Sequence, residues 1–107
     1  MKSPTFSPVF ASMYVRLCEL TRAHGYALTV HGTMSLDFDL VAIPWTNEAV
    51  EEHTLAKLIA EELNMFTGEG FEKFHEAPVV KPHGRLSWIL YFGNHAYIDL
   101  SVMSRGK

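Results

Sequence analysis

Apolar residues recur at three- and four-residue spacing through Phe10, Met13, Tyr14 and Leu17, a pattern that predicts an amphipathic helix. Its start is marked by Ser7-Pro8, a capping hydroxyl followed by the one residue that has no amide to satisfy in the first turn. Its end is marked by Gly25, suited to a left-handed terminal cap, so the helix is expected over about residues 8–24. Two runs of strand character follow, "YALTVH" and "LDFDLVAI", joined by "GTMS". Pro44 ends the second, because proline cannot donate to a ladder. Thr46 or Asn47 is expected to cap a second helix, with Glu48, Glu51 and Glu52 near its positive end. Val50, Leu55, Leu58, Ile59 and Leu63 give it a buried face. The segment "NMFTGEGFEKFHEAPVV" is irregular; its glycines suggest a loop or lid, with a short strand near Pro78–Lys81.

The last pattern is a hairpin. "RLSWILYF" and "HAYIDLSVM" flank Gly93-Asn94, which reads as a two-residue turn. Such a turn pairs Phe92 with His95, Leu90 with Tyr97, Trp88 with Asp99 and Leu86 with Ser101. Ile89, Tyr91, Ile98, Leu100 and Val102 then form the core face, and Asp99 shares its face with Trp88, Tyr97, His95 and Ser101. The order α-β-β-α-(β)-β-β predicts an α+β sandwich, a mainly antiparallel sheet with two helices on one face.

A chain of 107 residues has room for one domain, expected over residues 1–107, and for one core. The 48% apolar content and the lack of any apolar run of membrane length predict a globular protein that does not span a membrane. The first residues, "MKSPTFSPVF", lack a secretion signal, and a single cysteine, Cys18, suits a reducing compartment, so a cytoplasmic location is expected. Cys18 falls within the helical apolar pattern and reads as a small core residue. The formal net charge of −3 argues against coating extended nucleic acid, which requires clustered lysine and arginine. It leaves room for a small nucleotide held by a few groups and a metal. None of the six histidines shows zinc-type spacing with another ligand.

The three aspartates change the picture most. Asp37 and Asp39 lie within one strand-like run and Asp99 within another, and none occupies the turn or cap positions aspartate favours. Residues two apart on a strand share a face, about 7 Å apart. If Asp99 lies on a neighbouring strand, the carboxylates converge and need a cation to neutralise them. Hard oxygen ligands select magnesium or manganese, which commonly carry phosphates. The bland alternative is that all three are polar-face residues paired with lysine or arginine.

"HGTMSLDFDLVAI" followed much later by "YIDLSVM" resembles the core of the nucleotidyltransferase superfamily. That core has a glycine pair after one strand, Asp-x-Asp on the next and a third carboxylate on a later strand. By that resemblance Gly32 and Thr33 would approach nucleotide phosphates, while Asp37, Asp39 and Asp99 would hold metal and, in an enzyme, be catalytic. Here only Thr33, Met34, Ser35 and Leu36 separate Gly32 from Asp37, about half the family's usual spacing, so the helical turn that cradles phosphate is missing or shortened. The chain is also similar to short phage and prophage proteins, which would place it in a host cytoplasm. The reading preferred from sequence is a nucleotide-binding protein that sequesters a linear or cyclic nucleotide immune signal. Its alternatives are a minimal metal-dependent nucleotidyltransferase and an α+β interaction module with a protein or homo-oligomeric partner.

Three further features bear on a nucleotide. Lys81, His83 and Arg85 surround Gly84 and read either as a phosphate clamp or as a turn with cations in solvent. Trp88, expected opposite Asp99, is a candidate stacking surface for a base, or else a packed core residue. His31, just before Gly32, could position a phosphate or close a strand end.

Overall fold

The computed structural model describes residues 8–31, 37–67, 78–91 and 97–105; within these, the side chains of residues 8–10, 37–38, 64–67, 83, 91 and 97 are left aside. Helix α1 spans Pro8–Ala23 and is followed by strands β1 (Tyr26–His31) and β2 (Asp37–Pro44). Helix α2 covers Glu52–Thr67, and β3 (Val79–Val80), β4 (Leu86–Tyr91) and β5 (Tyr97–Val102) complete the described elements. Ser7, the "GEGF" loop and the Gly93-Asn94 turn lie outside the described residues.

Gly25 ends α1 with φ +90°, and its amide donates to the Arg22 carbonyl. Gly25 and His24 then accept the amides of Trp45, Thr46 and Val50. Those bonds hold the chain after β2 out of helical geometry, which corrects the expected start of the second helix. Thr46 does not cap it; its Oγ1 accepts the Glu48 amide within a turn. The helix begins at Glu52, and Glu51 acts as the cap, its Oε1 accepting the Thr54 amide at 3.2 Å. An accepting carboxylate there also suits the positive helix end.

The strands form one sheet in the order β1-β2-β5-β4-β3. Three of its pairings are antiparallel, and the central one, β2 with β5, is parallel. The sheet is therefore mixed. Both helices pack on one face, α1 against β1 and α2 against β4 and β5. Met13, Leu17, Leu55, Ile59 and Leu63 from the helices meet Tyr26, Leu40, Ile98, Leu100 and Val102 from the sheet, all at most 1% exposed. Cys18 is half-buried against this core and unpaired. No described helix is long and apolar enough to cross a membrane.

The β4–β5 register differs from the expectation by one residue. Trp88 pairs with Leu100, Ile89 with Asp99, Leu90 with Ile98 and Tyr91 with Tyr97. Five residues lie between Tyr91 and Tyr97, an odd number that a two-residue turn cannot leave. A one-residue slip turns every side chain of a strand to the other face. Leu86, Trp88 and Leu90 thus join the core, and Ser87 and Ile89 take the face of Asp99. The cause is burial: only this register lets the large apolar residues of β4 stand beside those of β5.

Candidate functional site

The parallel pairing of β2 with β5 places Asp39 directly opposite Asp99, and Asp37 opposite Tyr97. Asp39, Asp99 and their neighbours have the opposite parity to buried Leu40, Ile98 and Leu100, so they lie on the sheet face away from the helices. On the β1 side Asp39 pairs with His31, and on the β4 side Asp99 pairs with Ile89. One row therefore crosses four strands: His31, Asp39, Asp99, Ile89. His31 is exposed and both aspartates are half-buried.

Asp99 is held in place from β4. The Ser87 hydroxyl donates to its Oδ1 at 3.0 Å. Ser87 and its partner Ser101 are 6% and 8% exposed, a small hydroxyl-bearing floor beside the carboxylate. Ser87 was not singled out from sequence. Its signal is present: a lone small polar residue between Leu86 and Trp88 marks which way the strand faces.

Of the expected carboxylate trio, Asp39 and Asp99 come together. The Asp37 backbone lies two pairs further along β2, and its side chain is outside the described set, as are Gly32 and Thr33. Among the described residues no group of three or more metal-ligating side chains of His, Cys, Asp or Glu is assembled. Two neighbouring carboxylates still match how magnesium is commonly held, by one or two carboxylates with water and substrate phosphate completing the shell.

The "KPHGR" segment forms a tight turn. Pro82–Gly84 is one turn of 3-10 helix, the Lys81 amide donates to the Arg85 carbonyl at 2.7 Å, and Gly84 has φ +73°. Lys81 is exposed; His83's side chain is outside the described set. Arg85 is half-buried, and its Nε has no hydrogen-bond partner among the described residues. Since Leu86 pairs with Val102, Arg85 lies four residues along from the level of Asp99, about 13 Å in strand length. The turn and the carboxylates thus occupy different positions along β4 and β5.

Trp88 is not a stacking surface beside Asp99. It is 3% exposed, on the helix side, with its ring edge-on to His53 of α2 at 5.7 Å. No protein-family model matches the chain, and neither a curated protein nor a solved structure is significantly similar to it.

Proposed function

We propose that this chain is a small nucleotide-binding protein in which Asp39 and Asp99, with Asp37 beside them, hold magnesium or manganese that carries the nucleotide's phosphates. The observation that supports this most is the register of Asp39 with Asp99 on adjacent parallel strands. Carboxylates side by side repel, and a divalent cation relieves that repulsion. Arg85 has the strand parity of Ser87 and Ile89, so the same face offers carboxylates, then hydroxyls, then a guanidinium along the β4–β5 pair. That sequence of groups suits a ligand with more than one phosphate, linear or cyclic.

Capture is the favoured activity. Only residues 32–36 separate β1 from β2, a spacing that disfavours a full helix whose amide end could fix phosphates in line. Misplacement of about 1 Å can cost a hundredfold in a transfer rate, whereas binding tolerates it. In a phage-encoded setting, such capture would withdraw a nucleotide immune signal in the host cytoplasm. The test is a thermal-shift screen of linear and cyclic nucleotides with and without magnesium, followed by incubation of labelled triphosphates with protein and RNA acceptors. Metal-dependent stabilisation without product supports capture. Robust transfer lost in Asp39→Asn and Asp99→Asn would establish a nucleotidyltransferase instead. No response across the panel leaves an interaction module.

A further inference from the structure

A groove of about 510 Å³ runs between α1 and the outer edge of β1, away from the carboxylate row. Tyr14, Cys18 and Arg22 supply its helical wall at four-residue spacing, one stripe of the α1 surface. Tyr26, Ala27 and Leu28 of β1 form its other wall, and Trp45, just beyond β2, also lines it. We propose that this groove is a second binding site, for a small planar aromatic anion.

The two tyrosines at the groove are already fixed, Tyr14 half-buried and Tyr26 buried in the core. The Tyr14 hydroxyl donates to the Leu28 carbonyl at 2.8 Å, and that of Tyr26 to the Val50 carbonyl at 2.7 Å. Both phenols are pushed up to about 12, chiefly by burial, so neither places a negative charge beside the ligand at physiological pH. The Trp45 amide donates to Gly25 at 2.8 Å, which anchors its backbone, yet the residue is 74% exposed. A tryptophan left in water beside a groove offers a face for stacking.

The charge of the ligand follows from Arg22. Among the described residues it is the only charged one lining the groove, it is exposed, and it has no ion-pair partner. The other cations nearby are committed: Arg16 pairs with Glu62 and Arg105 with Glu52. A guanidinium and an exposed indole lining one groove select a flat ring carrying a carboxylate or phosphate, the ring on Trp45 and the anion on Arg22. The volume lies within the range of small-ligand sites.

The chain's two tryptophans make the test specific. Heteronuclear NMR of the nitrogen-labelled full chain in EDTA follows both indole N–H signals, assigned with Trp45→Phe. The probes are adenosine monophosphate, naphthoate, adenosine and inorganic phosphate. At least one aromatic anion should shift the Trp45 signal saturably while that of buried Trp88 stays put, and inorganic phosphate alone should not. Which anion binds decides between a nucleotide and an aryl carboxylate. Arg22→Gln should weaken the bound anion by about fivefold, the scale of an exposed charge pair, and leave neutral adenosine unaffected. Trp45→Ala should abolish binding with the melting temperature unchanged. Asp39→Asn should bind as the wild type does, which separates this site from the carboxylate row. No saturable Trp45 shift with either anion, equal binding by Arg22→Gln, or loss of binding in Asp39→Asn would each overturn the proposal.

Discussion

Asp39 and Asp99 stand opposite one another on neighbouring parallel strands, each from a different region of the chain. A parallel pair requires a long crossover between its strands. Here α2, β3 and β4 all lie within that crossover, so the two carboxylates are brought together by long-range pairing rather than by a local turn. Ser87, contributed by β4, then fixes one of them.

Asp99→Asn tests what this proximity does. Asparagine keeps an oxygen to accept the Ser87 hydroxyl and removes one of two like charges. In EDTA the variant should be more stable than the wild type by about 1 kcal/mol, the Coulomb energy of such a pair near water. Magnesium or manganese should raise the wild-type melting temperature and leave the variant's unchanged. Equal metal responses in the two proteins would end the metal reading.

Trp88 separates core from site. Trp88→Ala should cost roughly 3–5 kcal/mol, because it deletes a buried ring beneath α2 and leaves a cavity. Trp88→Phe should cost a fraction of that and bind metal and nucleotide as the wild type does. Urea denaturation measures the first; thermal shift with ligand measures the second. Unchanged stability in Trp88→Ala with lost ligand binding would return Trp88 to the site.

Both helices, the strand order along the chain and the α+β class were legible in the sequence because each rests on local periodicity. Pro8, Gly25 and Pro44 sit at the boundaries their chemistry suggests. The start of α2 was not legible, since it depends on amides of Trp45, Thr46 and Val50 reaching back to the end of α1. The hairpin register failed for a related reason. Gly93-Asn94 is a local signal, whereas the pairing of Trp88 with Leu100 satisfies burial against α2. The placement of Asp39 beside Asp99 was legible only as a condition, that β5 should neighbour β2. The groove at Trp45 had no signal in the sequence, because its two walls come from elements whose packing local pattern does not specify.

Two glycines with positive φ should respond differently to alanine. At Gly25 a Cβ would lie 2.5 Å from the Ala49 Cα and 2.7 Å from its nitrogen, both backbone atoms that cannot step aside. At Gly84 the nearest atom is the Ser104 Cβ at 3.6 Å, an ordinary contact. Gly84→Ala should therefore cost about 1–2 kcal/mol, the backbone penalty alone. Gly25→Ala adds the clash and should cost clearly more than about 2 kcal/mol. Chemical denaturation of both variants checks the order; comparable losses would mean that the α1 end can shift away from Ala49.

Tyr26 makes stability fall in alkali. Burial, with Glu52 and Glu51 adding to it and Arg105 opposing, pushes its phenol from 10.0 up to about 12. Below pH 10 the phenol is protonated whether the chain is folded or unfolded, and its contribution to stability is fully present. Between pH 10 and 12 the unfolded chain gives up the proton while the folded chain keeps it. Folding should lose roughly 1.4 kcal/mol per pH unit in that window from this one group. Tyr26→Phe removes the titration along with the hydrogen bond to Val50. The variant should be less stable than the wild type near neutrality by about 1 kcal/mol, yet flatter above pH 10. The two stability curves, measured by urea denaturation across the alkaline range, should cross between pH 10 and 12, whereas curves that stay parallel would show that Tyr26 titrates alike in both states.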